Sequence, residues 1–436
     1  MNSHVGIVER ACSKIRANLN LIALLLLHTV VCCVSLAEVS RYQSYIPYNN
    51  SGLFTAAIIA VALSSISLLF AAARFSFGYF VGFYFYTLIL GFLWIENFTI
   101  YPYKHVLAGV SAAASLLLFL LPALLMTRPL PRNFEISSRS LEYVLKSILV
   151  LAITTIVAAS SYNFRFTSLE HIYEFRNELA FPAPIRYLIG IVLSVLLPFA
   201  FACYWALNRR WSAGATLLLM LLFYPITLSK FSFFAPAWII SLLVLSKIFE
   251  PRPTAVLSLF LPLLLGLFFV VPFPNKDMTP FYFNLVNIRM VATPSSAMDI
   301  YNHFFSTRPL TYFCQISFLK TLTHCPYQDP LSVVMEHTYG FGNINASLFA
   351  TEGIASVGLI FAPLSALVCG LVIAFGNRLS AGLSPRFVLI SGALLPQALL
   401  NVPLTTVLLT HGAAILFLLW YVTPRAIFRD SEEMEA

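Results

Sequence analysis

Apolar stretches, each long enough to cross the roughly 30 Å hydrocarbon layer of a bilayer as a helix, recur along nearly the whole of this chain. No other feature limits its fold as much. Inside a bilayer every backbone N–H and C=O must find a partner, which leaves the helix as the conformation for such a stretch. Composition agrees: 10% of the 436 residues are charged, 59% are hydrophobic, and mean hydropathy is +0.84. A soluble domain carries about 25% charged residues. The expected fold is an all-α polytopic membrane protein, one integral membrane domain over residues 1–436.

Twelve spans are expected, at about 19–38, 52–73, 77–95, 106–126, 141–160, 185–207, 212–228, 232–247, 254–272, 346–375, 387–402 and 404–423. Two assignments stay open. Residues 212–247 read as two short helices or one long one, and 346–375 as one tilted helix or a half-helix followed by a span. Lys and Arg favour short cytoplasmic connections. With twelve spans, sixteen of the 26 basic residues fall on that side, and both termini are predicted to be cytoplasmic. Merging 212–247 weakens this bias. The first apolar run, after the basic Arg10, Lys14 and Arg16, is long enough to be a retained helix rather than a cleaved signal.

The net charge of +8 follows from the same bias and calls for no nucleic acid, for which the chain carries no recognisable module. Cys and His are not spaced as metal ligands, and no Gly-rich loop is set to cradle a nucleotide. No metal and no cofactor are expected.

Two outer loops hold the chemistry. The larger, about 273–345, is too long for a passive connection. It contains aromatic-rich pieces such as LTYFCQISFLKTL, read as short amphipathic helices on the bilayer surface. Its Cys314 and Cys325 either close a disulfide or remain thiols packed against the membrane. The medium loop, about 161–184, carries Arg165 and Arg176, with a short helix expected from Ser168. These loops form the expected cap of the active site. Arg165, Arg176, Lys230 and Arg289 lie on the side that positive-inside bias should deplete, near the level of lipid headgroups. Cations there suit phosphate oxygens and the charge of a departing phosphate.

The stretch NIRMVATPSSAMDIYNHFF places Arg289, Asp299, Tyr301 and His303 close together. Asp299 or His303 is read as orienting or deprotonating an acceptor hydroxyl. Tyr301, Phe304 and Tyr312 are read as stacking on sugar or gripping a lipid chain. In YGFGNINASLFATEGIASVG, Asn345 and Glu352 are polar groups at the mouth of a span, beside small residues that allow close helix approach.

In order, IYEFRNELAF, YPITLSKFSFFAPAW, NIRMVATPSSAMDIYNHFF and YGFGNINASLFATEGIASVG resemble the Wzy-type oligosaccharide repeat-unit polymerases, across roughly Ile172 to Gly376. Arg176 matches the family's outer Arg after a Tyr, and Lys230 its basic residue after a span. Arg289 with Pro294, Tyr301, Phe304 and Phe305 matches its Arg-Pro-Tyr-Phe-Phe segment. The family's Arg-ten-residue-Gly motif is absent from both large loops; Arg41 and Gly52 fit that spacing only in the first short one.

The resemblance implies an inverting, metal-independent membrane glycosyltransferase of the GT-C superfamily. It would act at the periplasmic face of a bacterial inner membrane. Donor and acceptor would be polyprenyl-pyrophosphate-linked oligosaccharides, with membrane lipid, a chain-length regulator and a flippase as partners. A lipid-linked glycan ligase is an alternative, and a lipid-oligosaccharide flippase is the alternative from another class.

Overall fold

A computed structural model describes residues 2–43, 46, 48–169, 171–172, 175, 179–270, 280–316, 319–320, 324–341 and 351–428, with side chains from residue 15 onward. The described residues form helices joined by turns, without a strand. Nine of these helices are long and apolar enough to cross a membrane. The chain is a membrane-embedded helical protein. It divides into two compact units, residues 1–126, 252–374 and 400–403 in the first, and 127–251, 375–399 and 404–436 in the second.

The first unit is built around helix Phe77–Ile95, every residue of which is buried. Ser76 starts it by accepting a hydrogen bond from Tyr79 N–H, satisfying one of the donors a helix start leaves unpaired. A helix apolar on all sides is stable only when surrounded. Helix Asn2–Val39 meets it through His28 with Thr87 and Thr29 with Tyr86. Helix Pro251–Val270 meets it through Ser258 with Tyr84, and helix His105–Leu125 packs Phe119 on Phe85. Such polar pairs hold helices together where burying apolar surface supplies little drive, because lipid tails are equally apolar.

A fourth neighbour is the segment expected in the outer loop. Asn284–Ala292 is π-helical and runs into helix Thr293–Thr307, with Pro294 in its first turn. Ser295 packs so tightly on Gly91 that a Cβ there would lie 2.1 Å from its Oγ, and Ser295 Oγ donates to Leu88 O at 3.1 Å. Asn287 Nδ2 reaches Ser35 Oγ and Leu263 O, and its Oδ1 fills the space left by Gly266. The polar stretch is therefore a buried helix within the first unit.

The helix expected in LTYFCQISFLKTL is replaced, across 311–316, by turns. Tyr312 and Phe313 are left-handed, at φ 48° and 61°. Thr311 and Tyr312 donate their N–H groups to Ala355 O and Ser356 O, carbonyls that a helix end leaves unpaired. Cys314 and Cys325 are joined as a disulfide. Helix Leu331–Tyr339 follows.

Across Thr351–Ser380 the chain breaks at Gly358, with φ 76° and ψ 174°, a conformation open essentially to glycine. The break reverses the chain and sets Gly353 against Ala362. Of the two readings left open for this stretch, the half-helix followed by a span is the one that forms.

In the second unit, 212–247 is broken rather than one long helix: Arg210–Leu222, of 13 residues, is followed by Tyr224–Thr227 and, past the left-handed Leu228, by helix Lys230–Ile248. The spans expected at 387–402 and 404–423 are interrupted as well, into Pro385–Ser391 and Leu395–Leu399, then Leu404–Leu409 and Ala413–Val422. Gly392 and the left-handed Gly412 stand at two of these breaks. Arg132 donates to the carbonyls of Leu379, Trp420 and Thr423, a cation matched to helix C-terminal ends.

Candidate active site

At the C-terminal end of the buried Phe77–Ile95 helix the chain turns through Glu96–Lys104 into helix His105–Leu125. Asp299, buried on helix Thr293–Thr307, binds this turn twice. Thr99 Oγ1 donates to its Oδ2 at 2.7 Å, and Tyr103 Oη donates to its Oδ1 at 2.5 Å. Thr99 and Tyr103 flank Tyr101, whose backbone N–H donates to Thr99 Oγ1 at 3.2 Å. Tyr101 stacks on His303, with centroids 4.9 Å apart. His303 lies one turn beyond Asp299 on the same helix face.

The imidazole is gripped from its other side. His303 Nδ1 is 2.7 Å from Tyr339 Oη, and Tyr339 Oη is also 3.5 Å from Ile300 O. The imidazole tautomer sets which atom of the 2.7 Å pair donates. Burial holds the His303 pKa below the ordinary imidazole value, which keeps the ring neutral.

The carboxyls are differently placed. Burial raises Asp299, while the hydrogen bonds from Tyr103 and Thr99 and nearby His105 favour its charged form. Glu96 is pushed up to about 8, first by burial and then by the Asp299 charge, against a hydrogen bond from Gly109 N–H. Both neighbouring carboxyls are thus shifted upward, Glu96 in part by the charge of Asp299. The Tyr103 hydroxyl is raised by burial and by Asp299, so it remains the donor. Asn302 is buried beside this group, with neither amide atom paired among the described residues. Arg308, at the end of the same helix, stands over the Phe304 ring at 5.6 Å and is close enough to lower Tyr339, whose pKa burial raises.

No family model, curated protein or solved structure matches the chain.

The residues singled out from the sequence meet different fates. Asp299 and His303 come together with partners the sequence did not suggest. Arg289 is exposed on the π-helical segment, about 15 Å along the helix from Asp299 at 1.5 Å per residue. Tyr301 is fully buried against Phe305, so its ring has no open face for a sugar. Phe304 is buried between Phe305 and Tyr327, whereas Tyr312 is exposed. Glu352 opens the half-helix before Gly358; burial first, and then the Glu352 charge, raises Tyr301.

Arg165 and Lys230 belong to the second unit. The Arg165 guanidinium lies over Phe175, and Lys230 begins its helix. Arg176 and Asn345 lie outside the described residues. Among the described residues no three His, Cys, Asp or Glu side chains gather as a metal site.

Glu96, Thr99, Tyr101, Tyr103, His105, Arg308 and Tyr339 were missed. One signal was available: the short connection ENFTIYPYKH packs an acid, two tyrosines, a lysine and a histidine between two apolar helices.

Proposed function

We propose that this protein joins lipid-pyrophosphate-linked oligosaccharide repeat units into a polymer at the outer face of a bacterial inner membrane. The reading includes a twelve-span topology with both termini cytoplasmic. One observation carries it: His303 is clamped between Tyr101 and Tyr339, one helical turn from the buried Asp299, in the tautomer we assign to it with Nδ1–H on Tyr339 and Nε2 free. Both residues lie in the stretch that resembles the repeat-unit polymerases.

In the proposed step, an acceptor sugar hydroxyl attacks the anomeric carbon of the donor glycan. Its oxygen bonds to that carbon while the bond to the pyrophosphate oxygen breaks, and the configuration inverts. The hydroxyl proton passes to His303 Nε2, and the pyrophosphate leaves with the electron pair. A base held in reach of the proton contributes about 10²–10⁴-fold. Asp299 acts through others: by holding Thr99 and Tyr103 it keeps Tyr101 flat against the imidazole. Arg308 is the cation of this unit assigned to the leaving pyrophosphate, whose charge it meets electrostatically.

The test is reconstitution of the purified protein with a defined lipid-pyrophosphate oligosaccharide, reading product length on a gel. Polymer from the native protein, and unjoined units from a folded His303→Gln variant, support the reading. Full polymerisation by folded His303→Gln overturns the assignment of the base, and the absence of any polymer from the native protein overturns the function. Transport of the lipid-linked unit is a second reading, favoured by the helix breaks at Gly358 and Gly412, since interrupted helices are frequent in transporters. Transfer of unpolymerised units across vesicles would select it.

A further inference from the structure

We propose that the second unit carries a discrete site for one anionic lipid, bound through its phosphate at the inner end of the helices. A cavity of about 340 Å³ opens there, lined by Trp205, Leu243, Lys247, Arg386, Phe387 and Phe428 among others. The size falls in the range of small-molecule sites, roughly 300–1,000 Å³. Its walls come from the ends of two candidate spans, Ala183–Ala206 and Lys230–Ile248, and from helix Pro385–Ser391. The cavity therefore lies at the level where hydrocarbon gives way to headgroups. The concentration of Arg and Lys assigns that end to the cytoplasmic side.

Three features select the ligand. Lys247 and Arg386 line the cavity and form no ion pair among the described residues, which favours an anion beside them. Trp205 keeps this charge in place: its ring lies 3.7 Å from the Arg210 guanidinium and 4.8 Å from the Lys247 ammonium. An aromatic face attracts cations and so restrains them at the rim, and Arg210 is further anchored by Trp205 O and Asn208 Oδ1. Leu243, Phe387 and Phe428 then supply an apolar wall that a free inorganic anion would leave unused. An amphiphile with a phosphate at the rim and an acyl chain along that wall satisfies both surfaces. This site is separate from the glycan-joining reading and stands without it.

The experiment is native mass spectrometry of the full-length protein released from detergent. Phosphatidylglycerol, phosphatidylcholine or inorganic phosphate is added in separate arms. One retained phosphatidylglycerol per protein is expected, in clear preference to phosphatidylcholine. Lys247→Gln and Arg386→Gln should each weaken that preference about fivefold, the effect of one cation near an anionic headgroup. Arg386→Lys should restore most of it. Arg128→Gln, which alters a basic residue outside the cavity, should change nothing.

Equal retention of both lipids would overturn the proposal, as would losses in Arg128→Gln equal to those in the cavity variants. Displacement of the lipid by inorganic phosphate would reassign the site to a soluble anion and overturn it as well. Thermal melts identify a variant that fails to fold, and the Arg386→Lys comparison then decides the outcome.

Discussion

Tyr103 donates to Asp299 Oδ1 at 2.5 Å, joining residues 196 positions apart. This bond ties the Glu96–Lys104 turn of the first unit to a buried acid, two residues beyond the Tyr101 ring that stacks on His303. Tyr103→Phe removes the donor and leaves the carboxylate one partner short. A hydrogen bond to a charged group is worth about 1.5–3 kcal/mol, and a loss of that order is expected in the unfolding free energy in detergent. In Asp299→Asn the second change should matter much less. A double-mutant cycle in which the two losses simply add would show that the pair is not coupled.

His303 should govern the acid limb of activity. Its folded pKa is held below 6.5 by burial, so the base proposed here stays competent down to a pH below the ordinary imidazole range. Stability shifts in the same direction. Below pH 6.5 the unfolded chain takes up a proton that the folded site refuses, so stability falls as pH drops toward the lowered folded value. The pH–rate profile of polymer formation should therefore lose its low-pH fall in any variant active without His303. Removal of the Nδ1 partner by Tyr339→Phe should reduce the rate less than His303→Gln does. A profile whose acid limb lies above pH 6.5 would contradict the assignment.

Glu96 makes the opposite pH prediction. Its carboxyl is raised from 4.5 to about 8, so between those values the folded protein holds a proton that the unfolded chain has released. Stability from this group is fully present below pH 4.5 and declines as pH rises toward 8. Glu96→Gln keeps a neutral side chain at every pH. Melting temperatures of the variant and the native protein should agree near pH 4 and diverge by pH 9, with the variant higher. Parallel curves would mean that the Glu96 proton is not linked to folding.

Gly91 and Ser295 define the closest approach of the Phe77–Ile95 and Thr293–Thr307 helices. A Cβ on Gly91 would lie 2.1 Å from Ser295 Oγ and 2.9 Å from its Cβ, so the helices would have to separate. Overpacking of this kind costs about 1–3 kcal/mol, and Gly91→Ala should lower stability by that order. Ser295→Gly removes both clashing atoms and should recover part of the loss in the double variant. It also introduces its own penalty of about 0.5–1 kcal/mol for glycine inside a helix. Because the same contact carries Asp299 toward Thr99 and Tyr103, Gly91→Ala should also reduce polymer formation.

Local chemistry made part of this legible in the sequence alone. Partition into hydrocarbon depends on runs of neighbouring residues, so the helical, membrane-embedded character follows from hydropathy without knowledge of any contact. Asp299 and His303 stood out for the same reason, as polar groups in a mostly apolar chain. Their partners did not. Thr99 and Tyr103 lie about 200 residues away in a short connection, and only the packing of Ser295 into the space beside Gly91 brings them within hydrogen-bonding distance.

The rotation of one helix then decided roles that composition left equal. It turned His303 toward Tyr101 and Tyr339, enclosed Tyr301 completely, and left Arg289 three turns away on an exposed face. The reversal at Gly358 belongs to the same category, since hydropathy is continuous across that break while the backbone is not. The sequence by itself determined which segments leave water. The tertiary structure decided which side chains meet, because helix rotation and close approach depend on distant small residues and not on the local pattern.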